Sequence, residues 1–209
     1  MKTSDKQAAL AELEKLYPDA KPALVYKTPY ELLVAVILSA QCTDERVNKV
    51  TAVLFERCST PGSMLTLSQT ELEKYIFSCG FYRMKAEHIL SASRDIIEKF
   101  NGEVPNTVES LMSLAGVGKK TANVVYSVAF GGQAIAVDTH VFRVSNRLGL
   151  AKGKTPLEVE ENLYKVVPKE NWSKAHHWMI YHGRRVCHSQ KPACDTCTLS
   201  HLCDFAKKH

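Results

Sequence analysis

Residues 31–40, Glu-Leu-Leu-Val-Ala-Val-Ile-Leu-Ser-Ala, are apolar nearly all the way round a helical cylinder. The stretch before them, Thr28-Pro29-Tyr30-Glu31, is a helix start signal. Its threonine can cap, its proline sits at the first helical position where a missing N–H costs nothing, and its glutamate completes a capping box. A helix without a polar face cannot lie on a surface, so the segment predicts a helical domain with other helices packed around it. It is also too short to cross a bilayer, which takes roughly 20 apolar residues, and no other stretch comes closer.

The remaining punctuation is helical too. Leu10, Leu13 and Leu16 form one stripe behind Ser4 or Asp5, either of which can cap, and Pro18 ends that helix. Thr43, followed by Asp44 and Glu45, opens a helix through Leu54, and Ser68-Gln69-Thr70-Glu71 is a second capping box for a helix stopping at Cys79-Gly80. A long helix follows to about Asn101-Gly102, then two helices joined at Gly116-Val117-Gly118, closing at Gly131-Gly132. Residues 133–137 read as a linker, Asp138-Thr139-His140 starts a helix through Arg147, Thr155-Pro156-Leu157-Glu158 is a third box, and Ser173 begins the last long helix, through Arg185. No run of β-branched residues alternates with period two, so the class is all-α, with about ten helices.

The glycine turn is the first stretch that points to a ligand. Gly116 and Gly118 permit positive φ and close backbone approach, and Lys119 and Lys120 open the next helix, whose first amides lack intrahelical partners. Such a helix start suits a phosphate of a nucleic-acid backbone. An ordinary helix connector with solvated lysines has the same spacing. Charge favours the first reading: residues 1–111 hold 13 Lys and Arg against 15 Asp and Glu, and residues 112–209 hold 14 against 7, so the second half is strongly basic. The N-terminus lacks the features of a signal or transit peptide, which predicts a cytoplasmic, prokaryotic protein.

Cys42, Cys58 and Cys79 are scattered through apolar helical contexts and read as reduced core residues. The other four cysteines, Cys187, Cys194, Cys197 and Cys203, are spaced Cys-x6-Cys-x2-Cys-x5-Cys near the C-terminus. In a reducing compartment, four thiols so close imply a metal, and the spacing fits a four-thiolate zinc site and an iron–sulfur cluster equally. His188 and His201 read as surface residues beside it. Arg184, Arg185 and Lys191 flank the loop, which would present cations to phosphates.

Taken together, Leu38-Ser39-Ala40-Gln41-Cys42-Thr43-Asp44, Gly80-Phe81-Tyr82-Arg83-Met84-Lys85-Ala86, Leu114 to Val125, Ala136-Val137-Asp138-Thr139-His140-Val141-Phe142-Arg143, His177-Trp178 through Gly183-Arg184 and the four cysteines resemble the endonuclease III family of DNA glycosylase/AP lyases over nearly the whole chain. The resemblance implies two helical domains with a DNA-binding cleft between them. Residues 22–132 would carry the helix-hairpin-helix, and residues 1–21 plus 133–209 a 4Fe–4S cluster on Cys187, Cys194, Cys197 and Cys203. It implies Lys120 as the catalytic lysine and Asp138 as the catalytic aspartate. A neutral amine attacks C1′ of an extruded nucleotide, displaces the base and leaves an imine that promotes β-elimination. Lys119 and the helix start would favour that neutral form, and Asp138 would stabilise positive charge on the sugar while also capping its helix.

Gln41 would fill the gap left by the extruded base and Phe81 would wedge the opposite strand. Without the resemblance they read as a loop polar residue and a core aromatic. Gly116, Val117, Gly118, Lys119, Thr121, His140, Arg184 and Lys191 complete the expected DNA contacts. The chain departs from the family pattern at Cys42, where a small residue is usual, at Phe81, where leucine is frequent, at Ala115, where proline is usual, and at Lys119, where arginine is common. The expected partner is damaged duplex DNA, bound by a monomer associated with the nucleoid and not with a membrane. The expected substrates are oxidised pyrimidines. The alternatives are a non-catalytic damage-sensing module with a structural metal site, and a sibling glycosylase with another lesion range.

Overall fold

A computed structural model of the chain describes residues 1–208, and these contain eleven α-helices and no strand. The chain divides into two compact units, Pro22–Gly132 and a second made of Met1–Lys21 with Gln133–His209.

The Pro22–Gly132 unit is built on α2 (Pro29–Ser39), in which every residue from Tyr30 to Leu38 is buried. Around it pack α3 (Asp44–Arg57), α6 (Tyr82–Phe100) and α8 (Lys119–Ala129), with α4 (Pro61–Met64), α5 (Gln69–Ile76) and α7 (Val108–Met112) filling in. The apolar-all-round pattern therefore gives the central position expected of it. Thr28 caps α2 by accepting from the Glu31 N–H, but the Glu31 carboxylate accepts from Lys27 N–H at 2.5 Å, one residue earlier than a capping box requires. Glu158 does the same toward Lys154 behind Thr155, whereas Ser68 and Glu71 form the full reciprocal box. The helix beyond the ten expected is α4, a single turn with its own box between Thr60 and Ser63.

The other unit holds α1 (Thr3–Leu16), α9 (Thr139–Leu148), α10 (Pro156–Val166) and α11 (Trp172–Arg185). Leu13, Val141, Val144, Leu163, Ala175 and Met179 are among its fully buried residues. α1 joins through its apolar stripe and through a Tyr17 hydroxyl 3.0 Å from His182 Nδ1. Two helix starts differ from expectation. α1 begins at Thr3 with Lys2 at the cap position and no side-chain cap, which leaves Asp5 inside the first turn, where its charge favours the positive helix end. α11 begins at Trp172 after a tight turn, Lys169–Asn171, and its indole N–H donates to the Val167 carbonyl. Residues 133–137 form no strand; Ala134 to Val137 pass through as buried chain without regular structure.

Because α2 carries no polar face, truncating it removes buried surface with nothing to replace it. Leu32→Ala, at a fully buried position, is expected to destabilise the protein by about 2–5 kcal/mol, measured by denaturant unfolding.

Candidate nucleic-acid interface and active-site residues

Within the Pro22–Gly132 unit, α7 and α8 are joined by a turn whose two glycines serve different ends. Gly116 has φ +74, and a Cβ there would lie 2.7 Å from His88 Nδ1, so both its conformation and its packing against α6 exclude a side chain. Gly118 has φ −84, not the positive value expected, and a Cβ would meet nothing within 4 Å. Among the described residues, nothing outside the turn's own neighbours excludes a side chain at 118. Gly118 caps α8 without any side-chain bond, in contrast to the threonine, serine or aspartate caps of α2, α3, α4, α5, α7, α9 and α10. The Val117 N–H is used inside the turn, donating to the Leu114 carbonyl, and its side chain is buried. Lys119 and Lys120 are the first two residues of α8 and both are exposed; Thr121 is half-buried.

Four described non-glycine residues have positive φ: Gln41 (53°), Phe81 (46°), Asn101 (55°) and Lys191 (47°). Asn101 ends α6, an ordinary place for asparagine. The other three are residues expected to touch DNA. Holding Gln41 and Phe81 there costs of order 1 kcal/mol each or more, a strain that clusters at functional sites. Phe81 is 61% exposed, which removes the reading of it as a core aromatic. Gln41 is exposed as well.

In the other unit, Asp138 caps α9, its Oδ1 accepting from the Val141 N–H at 2.8 Å. His140, His177 and Arg184 share its surroundings. Burial pushes His177 down to about 4, against the pull of the Asp138 carboxylate and with help from the Arg184 guanidinium. Burial also lowers His140, again opposed by Asp138 and aided by Arg143 and Arg184. Arg143 locks this corner, its Nη2 within 3.0 Å of both His140 Nδ1 and the Gly183 carbonyl while its Nε donates to Cys187. A Cβ at Gly183 would come within 3.0 Å of the His140 side chain, so α9 and α11 meet through a glycine. His177 carried no assigned role in the sequence; its place beside Asp138 follows from the turn of α11 that faces α9. Arg184, Arg185 and Lys191 are exposed, and the Arg185 guanidinium lies over the Tyr17 and Tyr181 rings.

Cys187, Cys194, Cys197 and Cys203 line one pocket, with Leu148, Val186 and Pro192 among its apolar walls. The chain reaches it by successive tight turns, Cys194 to Cys197, Cys197 to Ser200 and Ser200 to Cys203. Arg147 ties down the first stretch of the loop by donating to the His188 and Ser189 carbonyls at 2.6 and 2.9 Å. Burial, and then the nearby Cys187 and Cys203 sulfurs, push the Cys194 thiol up, and Cys197 is raised by burial and by its three neighbours. Among the described residues no group of three or more His, Cys, Asp or Glu side chains is placed to hold a metal ion. His188 and His201 are exposed, as expected. Cys58 and Cys79 are buried and Cys42 is half-buried.

The model of the HhH-GPD superfamily base excision DNA repair proteins matches residues 34–169. The chain is 50% identical to the endonuclease III of Haemophilus influenzae over 199 residues, covering 95% of this chain and 94% of that protein. The chain belongs to the endonuclease III family. The Escherichia coli endonuclease III is 47% identical, with 95% and 94% covered. Among solved structures, an endonuclease III trapped as a covalent intermediate with DNA superposes with a TM-score of 0.96 at 52% identity, covering 100% of this chain and 98% of that one. A member of this family is a DNA glycosylase/AP lyase of base excision repair, and that is this chain's activity.

The His177 environment sets a pH dependence. Its folded pKa lies below the ordinary value near 6.5, so in the window between about 6.5 and 4 the unfolded chain binds a proton that the folded chain does not. Stability is therefore full above about 6.5 and falls as pH drops toward 4, by up to about 3 kcal/mol from this residue. Thermal unfolding of the wild type and of His177→Gln across that window is expected to show a shallower acid limb in the variant.

Proposed function

We propose that the chain removes oxidised pyrimidines from duplex DNA with Lys120 as the nucleophile and Asp138 as the carboxylate that stabilises positive charge at the sugar and handles protons. The neutral Lys120 amine attacks C1′ of the extruded nucleotide and the damaged base leaves with the C1′–N bond electrons. Loss of the amine proton and opening of the sugar ring give an imine. The imine acidifies the C2′ proton, and its removal expels the 3′ phosphate by β-elimination. The observation that carries the reading is the exposed Lys120 in the first turn of an α8 that no side chain caps. The covalent intermediate with DNA formed by a relative at 52% identity supports it.

In this reading Gly116, Gly118, Lys119 and Thr121 hold a backbone phosphate at the start of α8, an arrangement that needs no base information. The Val117 amide is already used by the turn, so that residue supports the loop from inside. Gln41 fills the gap in the stack and Phe81 wedges the opposite strand, both being exposed residues with left-handed backbone. His140, Arg184 and Lys191 add DNA contacts from the other unit. The protein acts as a cytoplasmic, nucleoid-associated monomer; its bacterial relatives support the prokaryotic setting of that reading.

The four cysteines fit a 4Fe–4S cluster. Four sulfur donors face one apolar-walled pocket, and thiols this close resist ionising together unless a positively charged group joins them. The same four thiolates would also suit a zinc ion, and it is the likeness to the endonuclease III family that selects iron and sulfide. When bound, the cluster cross-links residues 187–203 and stiffens the loop that bears Lys191.

Borohydride trapping tests the nucleophile. The wild type is expected to form a covalent adduct with damaged duplex, Lys119→Gln to form it still, and Lys120→Gln to lose adduct and nicking by about three orders of magnitude or more. Nicking of abasic DNA by Lys120→Gln at the wild-type rate would sink the assignment. For the cluster, purified protein is expected to be yellow-brown and to contain iron and acid-labile sulfide in equal amounts, with Cys194→Ala losing both; a colourless protein holding zinc would overturn it.

A further inference from the structure

Lys85 is 3% exposed, in the first turn of α6, and no carboxylate among the described residues accepts from it. Its Nζ donates to three backbone carbonyls instead: Leu38 at 2.8 Å, Ala40 at 2.7 Å and Cys79 at 2.7 Å. An ammonium has three N–H bonds, and all three are spoken for. Leu38 and Ala40 lie at the C-terminal end of α2, where the last carbonyls of a helix lack intrahelical partners and the dipole is negative. Cys79 is the last residue before Gly80-Phe81.

The ammonium thus joins the two segments that bear the residues assigned to enter the duplex. α2 ends without glycine, and Gln41 takes the left-handed position after its cap that glycine normally fills. Phe81 follows Gly80, φ 63, into the same region. A left-handed glutamine and a left-handed phenylalanine relax unless something fixes the chain beside them. In each case the fixed point is a carbonyl bound to Lys85, immediately before Gln41 and two residues before Phe81.

We propose that Lys85 is a positioning residue that holds the Gln41 and Phe81 tips in register for insertion into the base stack. The proposal rests on the reading of those two side chains given above. Lysine suits the task because one compact ammonium aims three donors in three directions, where a planar guanidinium would spread its donors in one plane and need more room. The Cys79 thiol beside it, pushed up to about 11 by burial and by the Cys42 thiol, stays neutral. The carbonyls are therefore what the charge acts on.

The test compares two rates in single turnover: base excision from an oxidised-pyrimidine duplex, where a gap must be filled, and nicking of an abasic single strand, where there is no stack to enter. Lys85→Met keeps the stem and removes the donors. It is expected to lower the ratio of the two rates at least about tenfold, as Gln41→Ala and Phe81→Ala do, because unfilled stacking costs fall on the duplex alone. Adding Lys85→Met to the Gln41→Ala/Phe81→Ala double variant is expected to lower the ratio no further. A purely structural role would depress both rates together and leave the ratio unchanged. If the tip variants lower the ratio and Lys85→Met does not, the proposal is overturned and the reading of the tips stands. If the tip variants leave the ratio unchanged, that reading fails and the proposal with it.

Should Lys85→Met not fold, the wild type decides. Its Lys85 ammonium protons are expected to exchange with water slowly enough for NMR detection and to show couplings across hydrogen bonds to the carbonyl carbons of Leu38, Ala40 and Cys79. An ammonium exchanging at the rate of an exposed lysine would overturn the proposal.

Discussion

A helix buried on every side has only its ends with which to meet the rest of the world. For α2 the start is handled locally, by Thr28 and a proline with no N–H to satisfy. The end is harder, because the closing carbonyls of the helix emerge among apolar side chains and need donors. The solution comes from a distant part of the chain, and it is a charge. Desolvation lowers the pKa of Lys85, while three carbonyl oxygens favour the ammonium. The hydrophobic demand that centres α2 thus creates the polar demand that fixes the loops at its end.

Much of this was legible in residue order. The capping residues Thr28, Thr43, Ser68, Asp138 and Thr155 mark helix starts because their side chains satisfy specific amides, a local effect that sequence reports well. Asp138 shows the limit of such reading: its capping role is local and visible, whereas its company of His140, His177 and Arg184 depends on α9 facing α11. Gly116 and Gly118 looked equivalent as letters. They differ because one packs against His88 and the other against nothing, and no spacing rule contains that fact.

Phe81 and Lys85 invert the usual expectation for their types. Composition places phenylalanine inside and lysine outside, yet Phe81 is largely exposed and Lys85 is buried. Both inversions occur within five residues, in the segment Gly80 to Ala86, where local preference yields to what the site requires. The motif drew attention to the segment without saying which side chain turned which way. That needs the backbone: a left-handed Phe81 turns its ring outward, and the helix that starts after it turns Lys85 inward.

Lys85 and His88 stand three residues apart on α6, just under one helical turn and about 4.5 Å of rise. One grips the ends of the loops bearing Gln41 and Phe81; the other lies against Gly116 of the hairpin. On the proposed reading of those residues, a single rod therefore serves as the gauge between the turn that would hold the DNA backbone and the side chains that would enter the stack. Because Lys85 binds backbone carbonyls and His88 meets a glycine, that spacing is set without the side chains at 41 and 81, so on the same reading the probes could vary while the distance between grip and probe stays constant.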